Sequence, residues 1–183
     1  MNRRTLLAPL LAVLLLPAAC AGSPSSTPPA MPQPAAGDEL SGIDVVYLTT
    51  MAGHSERTLE IVRLARDRVT DNALRTLAAA IEATEADELS TMRGWLPTAG
   101  PGTGAAGHHH AGHGDDAALD RLRAASAADV DRVLREVLTE HQQAAADLAR
   151  AQVDVGRSER VRDLARRIEQ SRTAEVGLLR GTP

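Results

Sequence analysis

The chain has 183 residues, 43% of them hydrophobic and 24% charged, with one Trp, one Tyr and no Phe. A core built from this composition must be Leu, Val, Ile and Ala, which suits packed helices and argues against an aromatic-rich β-sandwich. All 20 basic residues are Arg, set against 24 acidic residues for a formal charge of −4, so nothing points to nucleic acid as a partner, and the single Cys20 excludes an intramolecular disulfide.

Residues 1–19 read as a secretory signal: Arg3-Arg4, then an apolar run from Leu6 to Leu16, then Pro17-Ala18-Ala19. The run is too short for a good membrane-spanning helix. Cys20 directly after Ala18-Ala19 resembles a bacterial lipobox, in which the Cys is lipidated and becomes the new N-terminus; Pro17 stands where that pattern prefers Leu. An ordinary cleaved signal leaving a free thiol is the alternative. Arg3-Arg4 also looks somewhat like a twin-arginine export signal. Residues 20–40, rich in Pro and Ser, cannot bury a core and read as a flexible tether holding a folded domain off a membrane.

Sliding the sequence on itself by 87 residues aligns 44–96 with 131–183 without a gap. Identical pairs include Asp44/Asp131, His54/His141, Arg63/Arg150, Ile81/Ile168, Glu82/Glu169 and Glu88/Glu175. The chain is therefore a duplicated unit. Each copy predicts two helices from its apolar spacing. Tyr47, Met51, His54, Thr58, Ile61 and Ala65 share a stripe, followed by Leu74, Leu77, Ile81, Glu85, Glu88, Met92 and Trp95 on the next helix. Leu134, Leu138, His141, Ala145, Leu148 and Gln152 form the corresponding stripe of the second copy, followed by Val161, Leu164, Ile168, Arg172, Glu175 and Leu179. Ser41-x-x-Asp44 and Ser126-x-x-Asp129 are capping signals for the first helix of each copy, and Asp71 and Ser158 for the second. Residues 41–96 thus make one hairpin and 118–181 another, joined by a Gly- and His-rich connection over 97–117, with a short extra helix over Leu119–Ala125. The expected fold is all-α: two hairpins packed into one four-helix bundle.

Folding 44–68 back on 72–96 through a tight turn at Val69–Asp71 sets His54 level with the Glu85–Glu88 turn, and His141 with Arg172–Glu175. Imidazole and carboxylate from different helices are transition-metal ligands, so His54, His141, Glu88 and Glu175 form a candidate metal site. Met51 or Met92 would supply thioether sulfur favouring copper. The simpler reading is that each His hydrogen-bonds a Glu and satisfies two buried polar groups, and that the methionines are core fillers. A second candidate is His108, His109, His110 and His113 in the connection, able to capture copper, nickel or zinc; plain low complexity is the alternative. No nucleophile with a base at motif spacing, phosphate loop or dinucleotide fingerprint is present, so no enzyme is expected.

Asp44-x-x-Tyr47-Leu48-x-x-Met51-x-x-His54, with Ile81-x-x-x-Glu85-x-x-Glu88-Leu89-x-x-Met92-Arg93-x-Trp95-Leu96, resembles the exported bacterial family called domain of unknown function 305. The second copy, from Asp131 through His141 to Ile168-x-x-x-Arg172-x-x-Glu175, is similar to that family's other half. The resemblance covers about 41–181. It implies a ferritin-like four-helix bundle, often tethered as a lipoprotein, with some members binding periplasmic copper. The family's His-His and Met-Ala steps are replaced here: Ser55 and Gln142 follow the histidines, Ile61 and Leu148 fill the Met positions, and Glu85 and Arg172 stand where Gln is usual. The expectation is a degenerate member: an exported lipoprotein, anchored through Cys20 to the outer face of the cell membrane or in the periplasm, that binds copper or a similar divalent ion for buffering or handover. The competing expectation is an envelope structural or interaction module without metal.

Overall fold

The computed structural model describes residues 39–96 and 113–181, the side chains of 113–116 excepted. The proposed signal over 1–19, Cys20, most of the tether, and His108, His109 and His110 lie outside the described residues. The described chain forms five helices: α1 (Gly42–Ala65), α2 (Asn72–Trp95), α3 (His113–Ala124), α4 (Val130–Val155) and α5 (Glu159–Leu179). No described helix is long and apolar enough to cross a membrane.

Local chemistry explains most of the boundaries. Ser41 and Asp44 form a reciprocal capping box at the start of α1, the Ser41 hydroxyl accepting from the Asp44 amide while Asp44 accepts from the Ser41 amide. Asp71 caps α2 by accepting from the amides of Ala73 and Leu74. The second copy differs. Ser126 donates to Asp129, α4 begins at Val130, and neither Asp129 nor Ser158 accepts a side-chain capping bond from its own helix. The extra helix is longer than expected, opening at His113 inside the segment read as a loop connection. Leu119 and Leu122 of α3 are buried against α1 and α4, and Arg68 donates to the Leu122 and Ala125 carbonyls, closing the end of α3.

The four long helices make two antiparallel hairpins, α1–α2 and α4–α5, with α3 packed on α1 and α4. Helices α1 and α4 run antiparallel. Asp44 at the start of α1 accepts from Gln152 near the end of α4, and His54 stacks on His141 midway along both.

The contacts between the two copies are reciprocal. Asp44 reaches the turn of the second hairpin and accepts from the backbone amides of Arg157 and Ser158, both at 3.0 Å. Asp131, its equivalent, accepts from the amides of Thr70 at 2.9 Å and Asp71 at 3.0 Å, the matching residues of the first turn. Each first helix therefore caps the second helix of the other copy, supplying a carboxylate to N–H groups that have no partner within their own helix. The outer ion pairs repeat the symmetry: Arg63 pairs with Glu82 and Arg150 with Glu169.

Two apolar clusters fill the bundle. One contains Leu48, Met51, Ala52, Leu59, Leu89, Met92, Ala145, Val161 and Ile168. The other holds Ile61, Leu74, Ile81, Leu119, Leu122, Leu134, Leu138 and Leu179. Between them on all four helices lies a polar tier of Ser55, Thr58, Glu85, His141, Gln142, Arg172 and Glu175, every member buried.

Candidate metal centre

The two histidines meet at the pseudo-twofold between the copies. Their rings stack with centroids 3.6 Å apart and planes 10° from parallel. Each ring bonds to the backbone of the other: His54 Nε2 lies 3.1 Å from the His141 carbonyl, and His141 Nε2 lies 3.2 Å from the His54 carbonyl. A carbonyl only accepts, so Nε2 carries the proton in both rings and a neutral ring keeps its lone pair on Nδ1. Burial, the adjacent imidazole and Arg172 together push the His54 pKa down to about 3, against the opposing effect of its bond to the His141 carbonyl. His54 is neutral at any physiological pH.

The acidic partners expected beside the histidines are engaged elsewhere. Arg172 is fully buried and is gripped by three carboxylates: its Nη2 donates to Glu88, its Nη1 lies 3.3 Å from Glu175 Oε1, and its Nε faces Glu85 Oε1 at 3.5 Å. Burial works against the guanidinium charge, but Glu85, Glu88 and Glu175 outweigh it and raise the Arg172 pKa. Gln142 spends both amide hydrogens here, donating to Glu85 Oε1 at 2.8 Å and Glu175 Oε2 at 2.7 Å. Burial lifts Glu88 above the ordinary carboxylate range in spite of Arg172.

The expected pairing of His54 with the Glu85–Glu88 turn thus gives way to His on His and Glu on Arg. Arg172 explains why: its buried guanidinium takes Glu88 and Glu175, and the two rings bond to each other's backbone instead. Helix α1 ends at Ala65, so the link to α2 is longer than a tight turn at Val69–Asp71. Among the described residues, no group of three or more His, Cys, Asp or Glu is arranged to hold a metal ion.

Met51 and Met92 are both buried in the apolar cluster beside Leu48 and Leu89, the placement expected of core fillers. Trp95 packs at the hairpin end, with the Arg160 guanidinium 5.2 Å from its ring centroid. His113 is the first residue of α3, so only its backbone position is defined. Arg172 stands in an apolar stripe of the sequence, and Gln142 where the family has a second histidine, and neither place discloses its partner. The available signal was the pairing of opposite charges, Glu85 and Arg172, at equivalent positions of the repeat.

The DUF305 family, Domain of unknown function, has a model that matches residues 44–182. Solved structures share the fold. A DUF305 fragment from Deinococcus radiodurans is 20% identical with a TM-score of 0.64, over 78% of this chain and 95% of that one. A DUF305 protein from Streptomyces coelicolor, named as a secreted protein, is 25% identical with a TM-score of 0.63, over 74% and 88%. CopM in its Cu(II)-bound form is 21% identical with a TM-score of 0.63, over 75% and 93%, and its Cu(I)-bound form is similar as well. No curated protein matches the chain. With the family matched from Asp44 to the last residues and the helical fold shared, the chain belongs to the DUF305 family.

Proposed function

We propose that this chain is an exported, membrane-tethered member of its family that binds a transition metal, copper foremost, for buffering or handover rather than turnover. The observation that carries the reading is the reciprocal imidazole pair. Donation of Nε2–H to a backbone carbonyl is the arrangement that orients a histidine and leaves Nδ1 as the basic nitrogen, as in histidines that ligate metals. Imidazole nitrogen suits copper, and because the rings stack with planes 10° apart, their in-plane lone pairs converge on one ion when the stack opens. The shared fold with copper-bound CopM supports the choice of metal. The ligand set is confined to His54 and His141, with His108, His109, His110 and His113 as a capture segment, since Glu88 and Glu175 are committed to Arg172. Anchoring through a lipid on Cys20 would place this domain at the outer face of the cell membrane or in the periplasm.

A second reading is favoured by the partners found within that same tier: each imidazole bonds to the backbone of the other, the carboxylates grip Arg172, and the domain is a scaffold for an envelope partner. Copper titration separates the two. His54→Gln/His141→Gln, which keeps an N–H donor in place of each ring, loses the interior equivalent of copper, and deletion of 97–112 loses what His108, His109 and His110 bind. Unchanged stoichiometry in both variants sinks the metal reading. In the scaffold reading, copper leaves the melting temperature where it was, whereas a ligand of the native state raises it.

A further inference from the structure

The interior tier sets one guanidinium against three carboxylates. If Glu85, Glu88 and Glu175 were all ionised around Arg172, the centre of the bundle would hold two uncompensated negative charges, which burial strongly disfavours. Geometry singles out the group that yields. Glu175 is the best served, accepting from Gln142, Arg172 and the Ser171 hydroxyl. Glu88 takes a direct bond from Arg172, is less deeply buried, and has the exposed Arg167 acting on it as well. Glu85 is fully buried, accepts from Gln142 at Oε1 with Arg172 Nε only at ion-pair distance, 3.5 Å, and has no hydrogen-bond partner at Oε2.

We propose that this tier is a proton-binding site, in which Glu85 carries a proton on Oε2 in the folded chain and loses it as pH rises, loosening the bundle. The groups that face Glu85 come from the three other long helices: Thr58 from α1, Gln142 from α4, Arg172 and Glu175 from α5. Burial pushes the Glu85 carboxyl up to about 7, and the charge of Glu175 adds to the rise, while Arg172, Gln142 and Thr58 pull the other way. A carboxyl raised in the folded state stabilises the fold below its unfolded pKa, and that contribution is lost as pH climbs through the folded value. The window runs from the ordinary Glu range up to about pH 7. His54 acts with the opposite sign over part of that window, because its folded pKa is depressed. A difference between two proteins is therefore the clean readout. The inference is independent of copper binding.

The test is chemical unfolding of the metal-stripped exported chain beside Glu85→Gln, an isostere of the protonated acid. At pH 5 the two unfolding constants agree within about threefold, and at pH 8 the variant unfolds less readily, on the order of a hundredfold. A ratio that does not change between the two pH values overturns the proposal. Should Glu85→Gln not fold, carbon-13 glutamate NMR of the unaltered protein decides: a buried carboxyl titrating near neutrality upholds the site, and every glutamate titrating below pH 5 removes it.

Discussion

The duplication has left two kinds of region along the same pseudo-twofold. At the bundle ends the copies still match: Asp44 caps the second turn as Asp131 caps the first, and Arg63–Glu82 repeats as Arg150–Glu169. In the middle tier Glu88 and Glu175 still match, but the position three residues before each has diverged to opposite charges, Glu85 answered by Arg172, and Ser55 has Gln142 as its equivalent. The difference follows from what each site must satisfy. A helix N-terminus offers the same unpaired amides in both copies, so one residue type serves twice. On a twofold, a residue meets its own equivalent, and two like charges buried together repel; opposite charges at the two positions remove that conflict. The two imidazoles escape it because each bonds to a backbone carbonyl of the other copy instead of to the other's nitrogens.

The contrast can be broken most severely at its asymmetric centre. Arg172→Met strands the buried Glu85 and Glu175 and the half-buried Glu88, and is expected to cost about 3 to 5 kcal/mol in denaturant unfolding at pH 7. Much of the loss returns at pH 4 to 5, where the glutamates accept protons. A cost that is the same at both pH values would mean that packing, not charge, is what Arg172 provides.

The symmetric clasps come next, and they sharpen the comparison because burial differs between equivalent residues. Asp44 is fully buried and also accepts from Gln152, so Asp44→Ala is expected to cost about 3 kcal/mol, whereas Asp131→Ala, more open to solvent, costs about 1 kcal/mol. Burial raises the Asp44 pKa, but bonds from Ser41, Arg157 and Ser158 more than offset it and hold the carboxyl below its usual range. Asp131 is lowered by the Thr70 hydroxyl and by the Thr70 and Asp71 amides, against a smaller contribution from burial. Depressed carboxyls stabilise at neutral pH and lose that effect as pH falls through their folded values, the opposite of Glu85. Both substitutions should therefore flatten the acid limb of the stability profile. Equal costs for the two aspartates would remove burial as the distinguishing factor.

The smallest effects belong to the exposed repeats. Arg63→Ala and Arg150→Ala each break a solvent-exposed pair with Glu82 or Glu169 and should shift stability by less than about 1 kcal/mol, by similar amounts in the two copies. A large cost for either would mean that its pair carries more than a surface charge.

The fold was legible because its signals are local or periodic. The 87-residue repeat, the apolar stripes and the caps at Ser41 and Asp71 need no knowledge of distant partners. The site was half legible. That His54 and His141 approach each other follows from the repeat, since equivalent residues at mid-height of a twofold bundle must converge. Their separation from Glu88 and Glu175 was not legible, because which group takes the carboxylates depends on where Arg172 of α5 enters the packed bundle.

From the chain alone came the all-α class, the duplication, the pairing of helices within each hairpin, and the membership of polar residues in inward-facing stripes, all consequences of helical periodicity. Only the packed structure decided which of those polar groups would face which. Helix spacing sets the face a side chain occupies, but its partner depends on how far one helix slides along the next, and the reciprocal aspartate clasps hold that offset at both ends of the bundle.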